Sequence, residues 1–114
     1  GRTAVESMMT IDTQDRLHIV LTTVDAAAVG PASHWGHASS EVLYLRSNDG
    51  GQTFTAVQVS PSDPDTANWL PSLSRSGPHH RVDLPTILYT HGDVGSGLRP
   101  DTKTEVWCVG LADA

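Results

Sequence analysis

The chain has 114 residues and a formal net charge of -6 at pH 7, and its seven lysines and arginines are scattered along the sequence. This length suffices for one modest domain, and the absence of a basic stripe excludes the electrostatic surface expected of a nucleic-acid-binding protein. A single cysteine, Cys108, excludes an internal disulfide. The sequence contains no run of about 18 apolar residues that would predict a membrane span.

The first half of the chain predicts an all-β fold. Short β-branched runs separated by Gly, Pro, Asp and Asn recur throughout the sequence, and helical periodicity is hard to find. Four strands are predicted, at residues 7–12, 17–24, 41–46 and 53–60. The polar link at residues 13–16 suits a tight hairpin between the first two strands.

The second half predicts three further strands. Two prolines make residues 61–66 a turn-forming linker. The strands beyond it are expected at residues 69–75, 84–90 and 104–111. A turn at 76–80 and a Gly-rich loop at 91–103 separate them. We therefore expect two similar units, the second of which lacks a fourth strand.

The sharpest motif is the octapeptide Ser47-Asn48-Asp49-Gly50-Gly51-Gln52-Thr53-Phe54, between the third and fourth predicted strands. Asp49 can accept hydrogen bonds from backbone N–H groups of its own turn, and the two glycines allow a positive φ. The aromatic ring is expected to pack over the turn as the fourth strand begins. The residues that define this structural motif are Ser47, Asp49, Gly51, Thr53 and Phe54.

This octapeptide resembles the Asp-box, or BNR, repeat of sialidase-like β-propellers. The resemblance implies that residues 1–60 form one complete four-stranded antiparallel blade and that residues 67–114 form an incomplete final blade that lacks its outer strand. A propeller has about 4 to 8 blades, and at roughly 50 residues a blade this chain holds about two. The remaining blades would then come from another chain or from another part of the same polypeptide, and residues 104–111 would pair with a strand outside this chain.

The segments 84–90 and 105–108 resemble the carboxy-terminal end of bacterial BNR-repeat proteins, a group that includes propeller polysaccharide lyases. This implies a secreted or periplasmic, carbohydrate-active protein, either a polysaccharide lyase or a sialidase-like glycoside hydrolase. Most catalytic residues would lie outside this chain, which alone is expected to be inactive. Two alternatives stay open, a non-catalytic sugar-binding module and a purely structural or protein-binding propeller.

The order of strands sorts the connections onto two opposite ends. Because a meander reverses direction at each strand, the Asp-box turn and the turn at residues 13–16 lie at one end. In the family that this chain resembles, the Asp-box lies opposite the substrate site, so we interpret Asp49 as structural. The substrate end would then hold the loops at residues 25–40, 61–66 and 91–103.

The best candidate site residues lie in those loops. His34 and His37 flank Trp35 and could act as a general base or as metal ligands beside a sugar-stacking indole. A lyase needs a His or Tyr base and a cation such as Arg99 to neutralise a uronic carboxylate. The candidate catalytic residues are His34, His37, His91 and Arg99, and the candidate substrate-binding residues are Trp35, Asn68 and Trp69.

Each of these hypotheses has a simpler alternative. The loop around Trp35 would equally be a surface loop with a packed indole and solvated histidines, and Trp69 and Trp107 are typical of packing residues within strands. A sialidase needs three arginines to clamp its carboxylate, whereas Arg99 is the one arginine predicted at the substrate end. Such a clamp would therefore lie mostly outside this chain, or the protein is not a sialidase.

The sequence leaves cofactors open. The spacing of His34 and His37, without a helix, does not indicate a metal site, although a divalent cation such as calcium or zinc fits the residue types. A structural zinc site is a second hypothesis, and it would require the fold to bring together His79, His80 and Cys108.

Overall fold

The computed structural model describes residues 2–25, 40–61, 66–74, 81–93 and 104–112. These residues form strands and their connections without a helix, which confirms the all-β prediction. The strands are β1 (Arg2–Ile11), β2 (Leu17–Asp25), β3 (Glu41–Ser47), β4 (Thr55–Gln58), β5 (Thr66–Leu73), β6 (Ile87–Asp93) and β7 (Thr104–Val109).

The strands form two antiparallel sheets in chain order. The first sheet has the order β1-β2-β3-β4 and the second the order β5-β6-β7. Each predicted strand is present, with shifted bounds. The fourth is shorter than predicted because Thr53 and Phe54 belong to the preceding turn. The fifth begins earlier, at Thr66, which the sequence analysis had placed in the linker.

The hairpin between β1 and β2 is organised by a buried carboxylate. Oδ1 of Asp12 accepts hydrogen bonds from the backbone N–H groups of Gln14 at 2.8 Å and Arg16 at 2.9 Å. Asp15 adopts a positive φ of 61°, a conformation that Asp tolerates better than most residues. The polar link predicted at residues 13–16 is therefore a tight turn, and the side chain of Asp12, the residue before it, closes this turn.

The Asp-box turn between β3 and β4 has the geometry that its residue types predict. Oδ1 of Asp49 accepts hydrogen bonds from the backbone N–H of Gln52 at 3.1 Å and of Thr53 at 2.9 Å. Gly50 and Gly51 have φ values of 73° and 93°. A side chain at Gly51 would also meet Leu17 at 3.3 Å, so both conformation and space favour glycine there.

A bulge interrupts β5 where the sequence places a proline in the strand. The pairing of β5 with β6 shifts between Trp69 and Ser72, because Pro71 has no N–H to donate to the ladder. Leu70, within the bulge, has a φ of 53°. Its N–H donates to Oε1 of Glu6 at 3.3 Å, and Glu6 borders a second bulge, in β1. The two irregularities thus meet between the sheets.

The two sheets pack face to face around one core. Its buried residues come from β2, β3, β5 and β6, and they are Val20, Val42, Tyr44, Leu73, Ile87 and Tyr89. Met8 of β1 packs against this cluster, and its sulfur lies 3.2 Å from the N–H of Leu73. Because side chains alternate along a strand, the residues between these core positions point to the outer faces of the sheets.

The connections gather at two ends of the packed sheets. The first, here called the turn end, holds the β1–β2 turn, the Asp-box and residues 81–86. There the side chain of Thr13 donates to the Asp83 carboxylate, and Arg81 pairs with Asp15. The second, here called the loop end, holds the start of β3, the residues after β4 and the start of β5. There the N–H of Asn68 donates to the Ser40 carbonyl at 3.2 Å.

Candidate functional site

Part of the predicted site falls outside the described residues. This applies to His34, Trp35, His37 and Arg99, and likewise to His79 and His80 of the zinc hypothesis. The predicted site residues that the structure describes are Asn68, Trp69 and His91. Two of these three come together at the loop end.

Asn68 and His91 lie side by side in the second sheet. Asn68 is directly opposite His91, which is directly opposite Glu105 on β7. Residues in register across neighbouring strands point to the same face, so these three polar side chains form a row across β5, β6 and β7. Asn68 is 1% exposed, whereas His91 is half-buried and Glu105 is exposed. The row thus runs from the interior to the surface.

The orientation of Asn68 fixes the protonation of the imidazole of His91. Nδ2 of Asn68 donates to the Pro61 carbonyl at 3.4 Å, which directs its Oδ1 to Nδ1 of His91 at 2.7 Å. Since an amide oxygen only accepts, Nδ1 of His91 carries the hydrogen and donates. In the neutral ring the lone pair is then on Nε2. Among the described residues no hydrogen bond engages Nε2.

Trp107 completes this cluster at the surface. Its ring stacks on that of His91 with a centroid distance of 3.8 Å and an interplanar angle of 24°. The indole is 36% exposed, and its Nε1 donates to Oε2 of Glu105 at 3.3 Å. The centroid of the Tyr89 ring lies 6.0 Å from the centroid of the Trp107 ring, and the two rings are tilted by 55° to each other. An imidazole, an exposed indole and a carboxylate are therefore adjacent on one face; we call Asn68, His91, Glu105 and Trp107 the His91 cluster.

The sequence predicted Trp69, and not Trp107, as a surface on which a sugar could stack. Trp69 is 3% exposed, so its indole is buried, and its substrate-binding role stays a prediction. Trp69 follows Asn68 directly and therefore points to the opposite face of the sheet. Strand alternation could have predicted the position of Trp107. It lies two residues after Glu105 and therefore on the same face of the sheet, one strand away from His91.

A second polar cluster, at the turn end, was not predicted. Nε2 of His18 lies 2.7 Å from Oδ2 of Asp12, and its Nδ1 lies 2.7 Å from the hydroxyl of Tyr44. Nε of Arg16 also donates to Oδ2 of Asp12. His18 and Asp12 are both 0% exposed, and Tyr44 is 5% exposed. We call Asp12, His18 and Tyr44 the His18 relay.

The electrostatics of the relay fix its hydrogen positions. Burial by itself raises the pKa of Asp12, but hydrogen bonds from His18, Arg16 and Gln14 outweigh it and lower the pKa from 3.8 to about 2. Burial raises the pKa of the Tyr44 phenol, although the hydrogen bond and charge of Arg46 oppose this shift. Asp12 is therefore ionised and accepts from Nε2 of His18, and in the neutral imidazole the Tyr44 hydroxyl donates to Nδ1.

The described residues give no indication of a metal site, since no three His, Cys, Asp or Glu side chains are grouped there. Cys108 is exposed on β7. In this part of the chain no helix is long and apolar enough to cross a membrane.

Comparisons with protein-family models, with curated proteins and with solved structures give no significant match. The resemblance to the Asp-box repeat accordingly rests on the residues quoted above, and the assignment to that family stays a prediction. The two clusters and the outer faces of the sheets are the features that bear on function.

Proposed function

We propose that this chain contributes two blades to a carbohydrate-active β-propeller and that its His91 cluster forms part of the glycan-binding surface. Residues 1–60 would be one complete blade, residues 61–66 a linker and residues 67–114 a blade that receives its outer strand from elsewhere. The remaining blades would come from another chain or from the same polypeptide. The glycan-binding part of this proposal is supported by the stack of His91 on the exposed indole of Trp107.

The outer face of the first sheet supports the propeller architecture. Met9, Ile19 and Leu45 are in register across β1, β2 and β3, and Leu21 lies opposite Leu43. All five point away from the core between the sheets, and Met9 is 56% exposed. An antiparallel sheet that faces water on one side has polar residues there. Apolar rows on both faces favour a sheet that is packed between two neighbours, as propeller blades are.

The outer face of the second sheet shows the same feature. Leu88 is 40% exposed and lies opposite the exposed Cys108, and Val106 is 72% exposed on the same strand as Cys108. Exposed apolar rows of this kind indicate a surface that another protein element covers. Among the described strands β7 pairs with β6 alone, and its other edge has the same implication, because an open edge strand is a site for pairing with a further strand.

The chemistry of the His91 cluster suits a sugar ligand. An exposed indole offers an apolar face on which a pyranose ring can stack, with polar groups at its rim. The exposed carboxylate of Glu105 supplies an acceptor beside it, and the buried amide of Asn68 orients the imidazole. Nε2 of His91 has the lone pair that a general base needs. The catalytic roles of His34, His37 and Arg99 remain proposals from the sequence alone.

For the reaction we propose polysaccharide degradation by the complete assembly, as a lyase or a glycoside hydrolase. In a lyase, a base such as His91 would remove the proton α to a uronic carboxylate, and a cation such as Arg99 would neutralise that carboxylate. The alternative is a non-catalytic sugar-binding module. The Trp107 stack favours sugar binding in either case, and catalysis needs the base in addition.

Tryptophan fluorescence can test the binding proposal directly. The chain is titrated with oligosaccharides from neutral and from uronic-acid polysaccharides, and emission of Trp107 reports stacking. We expect Trp107→Ala to abolish the saturable change, while the buried control Trp69→Phe preserves it. Absence of saturable binding for every glycan class, with the fold verified by circular dichroism, would contradict the proposal.

Absorbance of an unsaturated uronate separates lyase activity from simple binding. The complete assembly is incubated with ulvan-like, pectic and glucuronan-type polysaccharides. A lyase gives rising absorbance that His91→Gln reduces by at least about a hundredfold, the lower range of a general-base contribution. Reducing ends without this absorbance indicate a hydrolase, and binding without either product indicates the non-catalytic module.

A further inference from the structure

A groove of about 450 Å³ opens at the turn end, away from the His91 cluster. Strand β4 forms one side of it, and the end of β7 with the residues that follow forms the other. Its apolar walls consist of Val57, Val59, Val109 and Leu111, and its polar residues include Tyr44, Arg46 and Asn48. A volume of this size with apolar walls and a few convergent polar groups is typical of a small-molecule site.

Arg46 is the unusual residue of this groove. Its side chain is half-buried, and its Nε donates to the hydroxyl of Tyr44 at 2.6 Å. The guanidinium carbon also lies 5.6 Å from the centre of the Tyr44 ring. Within the described residues the arginine ion pairs are those of Arg16 and Arg81, so Arg46 has no carboxylate partner there. A partly desolvated cation is stabilised by an anion.

The His18 relay holds Arg46 in position. Because the Tyr44 hydroxyl donates its hydrogen to Nδ1 of His18, its oxygen lone pair accepts from Nε of Arg46. His18 in turn is fixed by Asp12. This contact engages Nε of Arg46, and among the described residues no hydrogen bond engages either terminal amino group, so both can bind a ligand there. A guanidinium held in advance loses less conformational entropy on binding.

We propose that this groove binds a small organic carboxylate with an apolar body. The terminal amino groups of Arg46 would bind the carboxylate in the bidentate geometry that arginine favours. Asn48 lies at the same polar end and can donate through its amide. The apolar body of the ligand would lie against Val57 and Leu111.

The lining of the groove favours a small molecule over an extended segment. A strand added to the edge of β7 away from β6 would run beside residues 104–109, and of these the last, Val109, lines the groove. The other lining residues from this part of the chain follow β7. The groove contains no residue of the His91 cluster, so this proposal does not depend on the glycan-binding function of the other end.

Isothermal titration of the chain with benzoate and hexanoate, beside the neutral amides benzamide and hexanamide, tests the proposal. We expect saturable binding of at least one carboxylate and at least about tenfold weaker binding of its amide, because charge-assisted hydrogen bonds are the stronger ones. Arg46→Gln should weaken carboxylate binding about tenfold or more. Arg46→Lys should restore only part of it, because lysine lacks the planar fork.

Two controls keep the outcome interpretable. Arg81→Gln removes an arginine at the same end that does not line the groove, and it should leave binding unchanged. If Arg46→Gln fails to fold, Tyr44→Phe removes the hydroxyl that holds Arg46 and that also contacts Nδ1 of His18; with its fold verified by circular dichroism, it should weaken binding severalfold. Absence of saturable carboxylate binding, equal binding of the amides, or unchanged affinity in Arg46→Gln with Tyr44→Phe would overturn the proposal.

Discussion

The two ends of the packed sheets each hold a histidine beside an aromatic ring, and the two histidines differ in what they can do. His18 is 0% exposed, and a carboxylate and a phenol engage both of its ring nitrogens. His91 is half-buried, with an amide on Nδ1 and an exposed indole stacked on its face. The first ring is fully satisfied within the protein, whereas the second retains a basic nitrogen and a surface neighbour.

This difference shows why an imidazole alone does not identify a site. The His18 relay links the β1–β2 turn to β3. Its hydrogen bonds therefore stabilise the turn end and position Arg46. Within the described residues, the ring of His91 is linked to the interior by one hydrogen bond, to Asn68. The stability of the protein should therefore depend on the first histidine, and its chemistry on the second.

The largest expected effect is that of Asp12→Ala. This change leaves His18, Arg16 and two backbone N–H groups without their common acceptor in a buried site. We expect the free energy of unfolding to fall by about 3 to 5 kcal/mol, as when one partner of a buried ion pair is removed. Urea unfolding measures it.

The matched control is Asp93→Ala, an exposed carboxylate at the loop end, which should change stability by no more than about 0.5 kcal/mol. Equal losses in the two variants would show that the relay does not stabilise the turn end. The two ends would then not differ in how much their buried or exposed carboxylates contribute to stability.

The second effect is acid destabilisation of the turn end. The pKa of Asp12 is about 2 in the folded protein against an ordinary 3.8, so its stabilisation is complete above pH 4 and disappears as the pH falls towards 2. The expected loss is about 2 kcal/mol.

Urea unfolding between pH 2 and pH 6 measures this loss. Hydrogen bonds from Thr53 and Ser47 also lower the pKa of Asp49 to about 2, so the measurement is made in an Asp49→Asn background. There, adding Asp12→Asn should remove most of the remaining pH dependence in this window. An unchanged dependence would assign the acid sensitivity to other carboxylates.

The smallest effect concerns the orientation of His91. Asn68→Leu removes the acceptor for Nδ1, so the neutral ring should become a mixture of its two tautomers rather than carry its hydrogen on Nδ1. Long-range proton–nitrogen NMR spectra of the imidazole measure this ratio. We expect stability to fall by about 1 to 2 kcal/mol, because the change removes both side-chain hydrogen bonds of Asn68, to His91 and to the Pro61 carbonyl.

The ring of His18 serves as the internal control in the same spectra and should keep its hydrogen on Nε2. If the His91 ring shows the same tautomer with and without Asn68, the amide does not position it. That result would leave the stack on Trp107 as the main constraint on this side chain.

Local patterns predicted the strands and the Asp-box turn because these depend on neighbouring residues. Asp49 and Gly51 act within one turn, and alternation along β2 and β3 follows from strand geometry. The bulge at Leu70 was not predicted, although Pro71 supplied a signal. The strand bounds shifted where turn chemistry extended into the predicted strand, as at Thr53.

The candidate sites needed contacts between residues far apart in the chain. Asp12, His18 and Tyr44 are unremarkable in the sequence, and only the pairing of β2 with β3 and the hairpin turn bring them together. Trp107 was expected to pack, and only the structure shows that it lies opposite Tyr89 on the last described strand, stacks on His91 and is partly exposed. The relation between Arg46 and the groove likewise depends on where β7 ends.

The order of residues is enough to predict that this chain forms antiparallel strands and that the turn at residues 47–54 closes one hairpin, because backbone conformation and side-chain alternation are local properties. The tertiary structure decided which histidine is enclosed and which is accessible. That decision depends on burial and on partners from distant strands, and the chemistry of an imidazole follows from those partners rather than from its neighbours in sequence.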